Sequence, residues 1–465
     1  MPVRARTQYV CQQCGRTAAR ELGRCPQCGA WNSMVGEAVA PAKARRVTPG
    51  RGGAGAPHRL GEIEGDAEAR LPLPIEEFSR VLGGGIVPAS VVLVGGEPGI
   101  GKSTLLLQVA VEMARHGPVL YVSGEESERQ IKARAQRLFE AQAIPNDLYL
   151  LSETDLDAIV GHVESLHPIL AVIDSIQTVY LPDLDSSAGS ITQVRDCAAR
   201  LQAVAKAGGS AIFLVGHVTK EGAIAGPRVL EHIVDTVLYL EGDPFHAYRL
   251  LRSVKNRFGA TSEVGVFEMG AAGMSQVPNP SEAFLAERVV NAPGSAIAVT
   301  MEGTRPLLVE VQGLTSPTSF GHPRRTANGV DLNRLLLTLA VLTRRVGIKL
   351  AEQDVFVNVV GGLRVEEPAA DLAIAAAVAS STWDRALPAD LVLVGEVGLS
   401  GELRAVAQLP ARLREASRLG FRRAIVPRST RIEIGDAPGL QVMEARSVRE
   451  ALSLAVPHAE STASE

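Results

Sequence analysis

The chain has 465 residues, of which 46% are hydrophobic and 21% are charged, and this composition excludes a mainly disordered protein. A formal net charge of −4 excludes a uniformly basic nucleic-acid binder, although it leaves room for a local basic channel. The longest apolar runs, such as Leu372–Ala379, are too short to cross a bilayer, and the N-terminus shows no apolar signal segment. We therefore expect a cytoplasmic protein of two or three domains with no membrane partner.

Four of the five cysteines form two pairs near the N-terminus, within a predicted module of residues 1–36. Cys11 pairs with Cys14 and Cys25 with Cys28, each across two intervening residues. Two such pairs supply the four thiolates that structural zinc prefers, so the spacing predicts a closed zinc site. Iron in a rubredoxin-like site uses the same ligands and remains the alternative. Cys197 stands in an apolar stretch and is predicted to be a buried structural thiol.

The composition changes sharply after the cysteine module. Residues 37–61 are rich in glycine and proline, show no hydrophobic period and carry five basic side chains. We interpret this segment as a flexible basic linker, with weak contact to a polyanion as the alternative. A boundary at Pro278–Pro280 separates predicted domains at 62–275 and 276–456, and residues 457–465 are predicted to be a frayed tail. In the second domain, a strand is predicted at Pro306–Val311 and a helix at Asp331–Arg344.

Residues 62–275 alternate short apolar runs with helical stretches, a pattern typical of βαβ units on a mainly parallel sheet. The first predicted strand is Val91–Gly96, and a helix is predicted at Thr104–His116. A phosphate-binding loop joins them and consists of Gly96, Glu97, Pro98, Gly99, Ile100, Gly101, Lys102 and Ser103, followed by Thr104. Its glycines let backbone N–H groups close around phosphates, and the helix N-terminus favours negative charge. The sequence therefore predicts an α/β domain that binds ATP.

Polar residues at the ends of the predicted strands complete this nucleotide site. Lys102 is predicted to contact the β- and γ-phosphates, and Ser103 to ligate magnesium. Asp174 ends an apolar strand and is predicted to hold the magnesium through water. Glu125 is predicted to orient the attacking water, although acids also favour a solvated helix start. His217 follows another strand, where a γ-phosphate sensor and a structural histidine are both open readings.

A more specific signature is the segment Lys255-Asn256-Arg257-Phe258-Gly259. Together with the four-cysteine module, the GEPGIGKST loop, the VIDSIQT strand and the GHVTKEG loop, it makes the chain similar to the bacterial RadA (Sms) family of RecA-related DNA repair ATPases. The resemblance covers almost the whole chain. It implies an α/β fold in which a RecA-like P-loop ATPase core follows the zinc module and precedes an α+β domain like the Lon peptidase.

The resemblance also implies an activity and partners. The core is expected to assemble as a hexamer and to act as a DNA-dependent ATPase and helicase that translocates on single-stranded DNA and promotes branch migration in homologous recombination and repair. Lys255 and Arg257 are then expected to reach the ATP of the neighbouring subunit. The loops Leu181–Ser190 and Thr219–Arg228 would contact single-stranded DNA, with Lys220 and Arg228 on the phosphates. Branched DNA and the RecA recombinase are the other expected partners.

The C-terminal region departs from the Lon peptidases at the residues that cut peptide bonds. Those enzymes carry a nucleophilic serine in a Gly-Pro-Ser-Ala-Gly type segment, and Ala369 stands at that place here. The partner lysine would fall near Pro410. Neither side chain can act as a nucleophile or base, so the region is expected to be inactive as a peptidase.

Three alternative readings share parts of this pattern. A regulatory ATPase of the RecA and KaiC type would have the P-loop and Asp174, but it would lack the cysteine module and would not be driven by DNA. An ATP-dependent protease of the Lon class is disfavoured by Ala369 and Pro410. A purely structural scaffold is disfavoured by the intact set of nucleotide residues.

Overall fold

The structure is a computed structural model of the chain, and it describes residues 6–11, 16–27, 29–31, 33–39, 70–139, 143–216, 227–242, 247–286, 288–319, 321–428 and 437–456. The chain divides into two compact units. One comprises Met1–Pro244 with Arg249–Gln276, and the other comprises Phe245–Tyr248 with Val277–Glu465. In the described part of the chain, no helix combines the length and the apolar character that a membrane span requires.

The N-terminal module is a small antiparallel sheet. Its strands are β1 (Arg6–Cys11), β2 (Thr17–Ala18) and β3 (Met34–Val39), with β1 in the centre. Cys11 lies opposite Met34 in the pairing of β1 with β3, and both side chains are buried together with Cys25. A module this short has few large apolar side chains to bury, so its core forms around cysteines.

A nine-stranded sheet forms the centre of the first unit. Its strands are β4 (Val91–Gly96), β5 (Val119–Ser123), β6 (Leu148–Ser152), β7 (Leu170–Asp174), β8 (Ala211–Val215), β9 (Thr236–Glu241), β10 (Tyr248–Asn256), β11 (Val264–Gly270) and β12 (Gly273–Gln276). Their order is β12-β11-β10-β9-β4-β8-β7-β5-β6. Strands β4 to β9 are parallel to their neighbours, whereas β10 runs antiparallel to β9. The parallel sheet predicted from the alternating pattern is therefore confirmed.

Helices cover both faces of this sheet. They are α1 (Glu76–Leu82), α2 (Lys102–Met113), α3 (Glu128–Phe139), α4 (Leu156–Leu166), α5 (Ile191–Gly208) and α6 (Pro227–Leu230). Side chains of α1, α2 and α3 share one apolar core with Val92 and Val94 of β4. Side chains of α4 and α5 share the other with Val91 and Leu93. Successive residues of β4 thus face opposite cores, which is why the strand is a continuous apolar run in the sequence.

The second unit contains a seven-stranded sheet and a separate two-stranded pair. Its strands are β13 (Ser295–Glu302), β14 (Arg305–Pro317), β15 (Arg325–Asn328), β16 (Gln353–Val359), β17 (Leu391–Leu393), β18 (Glu396–Val397), β19 (Leu403–Arg404), β20 (Arg423–Pro427) and β21 (Gln441–Ala445). The large sheet has the order β15-β16-β14-β13-β17-β20-β21, and β18 pairs with β19. Its helices are α7 (Pro280–Leu285), α8 (Leu332–Val341), α9 (Asp371–Trp383), α10 (Leu409–Arg418) and α11 (Val448–Ala455).

Two elements of this unit differ in length from their predictions. The predicted strand Pro306–Val311 extends to Pro317, because the first part of β14 pairs with β13 and the last part with β16. The predicted helix Asp331–Arg344 has its cap at Asp331, but its α-helical part ends at Val341. A π-helical turn over Leu342–Val346 follows and stops at Gly347, whose φ of 94° favours glycine.

Ala369 and Pro410, the two residues that the resemblance aligns with the Lon dyad, are close in sequence to a buried ion pair. Ala369 is 1% exposed within the apolar core, and Pro410 occupies the first turn of α10. Two residues away from them in sequence, Glu367 accepts hydrogen bonds from both terminal nitrogens of Arg412, which is fully buried. The same carboxylate accepts from the backbone N–H of Met301 at 2.6 Å. This pair joins α10 to β13 near Ala369 and Pro410 in sequence.

We expect Glu367→Gln to lower the free energy of unfolding of the second unit by about 3 kcal/mol, because it leaves the buried Arg412 charge without a carboxylate. Urea denaturation followed by circular dichroism measures this change. The matched control is Glu396→Gln, whose carboxylate lies 3.7 Å from the half-exposed Arg404 and should contribute less than about 1 kcal/mol. If the two substitutions lowered the free energy of unfolding equally, the buried ion pair would not contribute more to stability than the exposed one.

Candidate nucleotide-binding site

The phosphate-binding loop lies between β4 and α2, at the carboxyl edge of the parallel strands. Gly101 has a φ of 110°, and a Cβ there would approach the Met269 methyl group to 2.4 Å. A Cβ on Gly96 would come within 2.5 Å of the carbonyl oxygen of Leu240. Both positions therefore require glycine, and the loop brings its backbone close to its neighbours as a phosphate cradle must.

Lys102 lies inside this loop and is 3% exposed. Its Nζ donates hydrogen bonds of 2.9 Å to the carbonyl oxygens of Gly96 and Glu97. Burial lowers the pKa of Lys102 to about 8, while the negative charges of Asp174 and Glu125 oppose that shift. The ammonium is thus poorly compensated by the protein, and an anion such as a phosphate group stabilises it.

The two predicted carboxylates end neighbouring strands. β5 and β7 pair in register with Ser123 opposite Asp174, so Glu125, two residues beyond Ser123, lies near that aspartate. The hydroxyl of Ser175 donates a 3.0 Å hydrogen bond to Oε1 of Glu125. Oxygen donors from a hydroxyl and a carboxylate, as in Ser103 and Asp174, are those that magnesium prefers, so the residues present fit that ion.

Tyr121 is a further member of the site that the sequence did not indicate. It is fully buried, and its hydroxyl donates a 2.6 Å hydrogen bond to Oδ2 of Asp174. Burial raises the pKa of Tyr121 well above its ordinary value, and the Asp174 charge adds to the effect. Arg134 lies 3.5 Å from the same hydroxyl and forms a 2.8 Å ion pair with Glu126. Glu126 is therefore engaged with α3, whereas Glu125 faces Ser175.

Lys255 and Arg257 lie at the other end of the sheet. Asn256 pairs with Thr236 of β9, and Thr236 lies opposite Val92 near the start of β4. The P-loop begins four residues later, about 13 Å along the strand. Lys255 donates to the carbonyl oxygens of Glu231 and Val234, the latter at 2.7 Å.

Arg257 has a local partner as well. Its Nη1 forms a 2.9 Å ion pair with Oδ1 of Asp235, although half of the arginine side chain is exposed. The pKa of Lys255 is lowered first by burial and then by the nearby charge of Arg257. Neither side chain approaches the P-loop of its own chain.

The loop Leu181–Ser190, which is predicted to contact DNA, is anchored by one buried side chain. Gln193 of α5 accepts from the backbone N–H of Leu181 at 2.9 Å and donates to the carbonyl oxygen of Ser186 at 2.9 Å. Gln193 is 1% exposed. His217 and Lys220 lie outside the described residues, and Arg228 is a backbone position of α6 whose side chain is likewise outside the description.

The cysteine module contains two turns of the same construction. The backbone N–H of Cys11 donates to the carbonyl oxygen of Arg16 at 2.9 Å, and that of Cys25 donates to Ala30 at 2.8 Å. In both cases the acceptor is the carbonyl group five residues after the cysteine, so the two turns have equal length. Cys14 and Cys28, the other predicted ligands, lie outside the described residues. Cys11 and Cys25 are buried and each is the first residue of one of these turns, an arrangement that fits a tetrathiolate metal site.

Comparison with known proteins identifies the family. The DNA repair protein RadA of Listeria monocytogenes is 49% identical over 97% of this chain and 98% of its own length. The chain belongs to the RadA family of DNA repair proteins. The RadA of Halalkalibacterium halodurans is 52% identical over 91% of this chain and 92% of its own length. A solved KaiC-like protein, PH0186 from Pyrococcus horikoshii OT3, is similar over 45% of the chain and all of its own, with 21% identity and a TM-score of 0.38.

Three family models match parts of the chain. Residues 57–223 match an AAA domain, residues 9–36 a rubredoxin metal binding domain, and residues 337–430 the subunit ChlI of Mg-chelatase. The predicted fold class, a P-loop ATPase core between a four-cysteine module and a Lon-like domain, is confirmed. The RadA-family assignment and the AAA match support an ATPase. The model that matches residues 9–36 is a zinc ribbon of the rubredoxin metal binding type, and it supports zinc as the metal.

Tyr121→Phe should weaken the response to magnesium without weakening nucleotide binding. The substitution removes the hydrogen bond that holds Asp174, and a bond to a charged group of this kind is worth about tenfold in affinity. We expect the magnesium concentration for half-maximal hydrolysis to rise about tenfold, while ATP affinity measured with EDTA stays unchanged. Tyr149→Phe, at a 43% exposed tyrosine of β6, is the matched control. An unaltered magnesium dependence in Tyr121→Phe would rule out the positioning role.

Cys25→Ser should release the metal from the N-terminal module, because a hydroxyl is a poor ligand in place of a thiolate. Atomic emission spectroscopy on the purified chain measures both the amount and the identity of the metal. Cys197→Ala is the control, since Cys197 is fully buried and burial raises its pKa to about 12, as expected for a structural thiol. Undiminished metal in the Cys25→Ser protein would contradict the four-ligand site.

Proposed function

We propose that this chain is a DNA-dependent ATPase that translocates on single-stranded DNA and promotes branch migration of recombination intermediates during homologous recombination and repair. The observation that carries the proposal is the strand order β4-β8-β7-β5 at the carboxyl edge of the sheet. The P-loop follows β4 and Glu125 follows β5. In the sequence, the two predicted DNA loops follow β7 and β8, the two strands that lie between β4 and β5. A change in nucleotide state at this edge can therefore move the loops directly.

We propose the following roles in hydrolysis. Lys102 neutralises charge on the β- and γ-phosphates, and Glu125 orients the attacking water. Ser103 and Asp174 would hold a magnesium ion, which when bound offsets phosphate charge. Tyr121 keeps the Asp174 carboxylate in position through its 2.6 Å hydrogen bond. His217 is proposed to sense the γ-phosphate.

Lys255 and Arg257 are proposed to complete the site of a neighbouring subunit. Both residues lie at the amino ends of the parallel strands, about 13 Å along the strand from the P-loop of their own chain. They cannot contact a nucleotide in that P-loop, which supports a role in a neighbouring subunit. Charge supplied in trans makes hydrolysis depend on assembly. We therefore propose a ring, and a hexamer as its size.

DNA contact is proposed for the two loops, with Lys220 and Arg228 on the phosphates. Gln193 supports the first loop by fixing Leu181 and Ser186 to α5. Branched DNA and the RecA recombinase are proposed as further partners. We propose that the protein acts in the cytoplasm. The alternative is a regulatory ATPase that DNA does not drive.

Steady-state ATP hydrolysis with and without single-stranded DNA, over a salt series, tests the proposal. We expect strong stimulation that falls steeply as salt increases, because Lys and Arg contacts with phosphates release counterions. Lys102→Ala protein supplies the background rate. A rate of ATP hydrolysis well above this background that DNA does not change at any salt concentration would favour the regulatory ATPase.

A further inference from the structure

Positive charge is concentrated in the first 61 residues of an otherwise acidic chain. Residues 1–61 contain 10 Lys and Arg against 2 Asp and Glu, whereas the other 404 residues contain 37 against 49. A divalent metal on four thiolates subtracts two charges, which leaves this segment at about +6. The module and the linker therefore attract polyanions that the rest of the chain repels.

One aromatic side chain of this basic segment is exposed to solvent. Trp31 is 72% exposed, the highest value among the large hydrophobic side chains of the described residues. The guanidinium of Arg24 lies 5.7 Å from the centre of the indole ring. It is held there by a 2.9 Å hydrogen bond from its Nε to the carbonyl oxygen of Gly29. Arg16 and Arg20 are also exposed.

The second cysteine turn fixes the position of this pair. Arg24 and Trp31 form an antiparallel bridge that brackets Cys25. Cys25 is 1% exposed and belongs to the core of the module. The indole is therefore presented by a fixed turn and does not depend on packing with other apolar side chains.

We propose that the face formed by Trp31 and Arg24 binds single-stranded nucleic acid, with one base stacked on the indole and the guanidinium on a flanking phosphate. An exposed ring beside a cation, on a segment of net positive charge, is an arrangement by which proteins hold single strands without reading sequence. A protein partner is less favoured, because Val35 is the only other exposed large hydrophobic residue in the described part of the module. The inference rests on the proposed function, to which it adds a second contact with the same strand.

The chain contains two tryptophans, Trp31 and Trp383, so each can be observed alone. In full-length Trp383→Phe, we expect oligo(dT) to quench the emission of Trp31 in a saturable manner that weakens with salt. An abasic oligonucleotide of equal length should bind through its phosphates with much less quenching. In Trp31→Phe, where only Trp383 emits, oligo(dT) should cause little change.

A second set of variants measures affinity through the anisotropy of a labelled oligonucleotide. Trp31→Ala should weaken binding about tenfold, whereas Trp31→Phe retains most of the affinity because phenylalanine also stacks. Arg24→Ala should weaken binding, with partial recovery in Arg24→Lys. The hydrolysis rate at saturating DNA should be unchanged in all four proteins, and their metal content should equal that of the parent.

The outcomes separate this inference from the proposed function. If DNA stimulates hydrolysis and binds by anisotropy while Trp31 emission stays constant, the stacking site is wrong and the DNA-dependent ATPase stands. If Trp31 responds to the RecA recombinase without DNA and not to oligo(dT), the face belongs to a protein partner and the inference is overturned. If oligo(dT) quenches Trp31 but leaves hydrolysis unaltered, the stacking site stands and the DNA-driven ATPase fails.

Discussion

We expect Lys102→Ala to reduce the rate of ATP hydrolysis by about a thousandfold or more, because it removes the lysine of the loop that is proposed to neutralise charge on the β- and γ-phosphates. The ammonium is buried and its bonds to the carbonyl oxygens of Gly96 and Glu97 keep it in the loop. Its charge therefore acts in a partly desolvated place, where it is worth more than in water. A coupled assay of phosphate release measures the loss.

Lys206→Ala is the matched control, since Lys206 is an exposed lysine near the C-terminal end of α5 and far in sequence from the loop. It should hydrolyse ATP at the parental rate. Thermal denaturation should show that Lys102→Ala is folded, because removing a poorly compensated buried charge does not destabilise the chain. If the Lys102→Ala protein were folded and hydrolysed ATP at the parental rate, the assignment of residues 96–103 as a phosphate-binding loop would be wrong.

The lowered pKa of Lys102 adds a pH dependence to the same site. In the absence of nucleotide the side chain titrates at about 8, so above that pH most molecules hold a neutral amine. Phosphate groups favour the ammonium, and ATP binding should then take up a proton. We expect ATP affinity to fall as pH rises above about 8. Calorimetry in buffers of different ionisation enthalpy measures the proton uptake, which Lys102→Ala should abolish.

Local patterns in the sequence were enough to predict the nucleotide-binding edge of the fold. Buried strands such as β4 and β7 are continuous apolar runs, because both faces of the sheet are covered by helices. The glycines of the P-loop have positive φ values that only glycine adopts easily, so they mark the loop in the sequence. Residues that act within one short segment can therefore be recognised without coordinates.

The supporting contacts could not be predicted, because they join residues that are distant in sequence. Tyr121 meets Asp174 across 53 residues, and Arg412 meets Glu367 across 45. Tyrosine in a buried strand and arginine in a helix are ordinary in sequence, and only the register of β5 with β7 brings the tyrosine to the aspartate. The length of β14 was missed for the same reason, since its last residues depend on β16.

Lys255→Ala should block turnover while sparing nucleotide binding. Lys255 and Arg257 lie at the amino edge of the central strands, so their removal leaves the P-loop of the same chain intact. A cation that stabilises the charge of the transferring phosphoryl group in trans contributes about 10³-fold or more to turnover. Fluorescent nucleotide binding should match the parent, and phosphate release should fall to near the Lys102→Ala background.

Mixing two inactive proteins distinguishes action in trans from action in cis. Lys102→Ala chains have a defective P-loop but retain Lys255, whereas Lys255→Ala chains have an intact P-loop. In a mixed assembly, a Lys255→Ala chain beside a Lys102→Ala chain receives the missing lysine from its neighbour. We expect hydrolysis to reappear on mixing and to peak near equal proportions, because only mixed neighbours form complete sites. If the lysine served its own chain, neither protein could complete the other, and the mixture would remain as inactive as its parts.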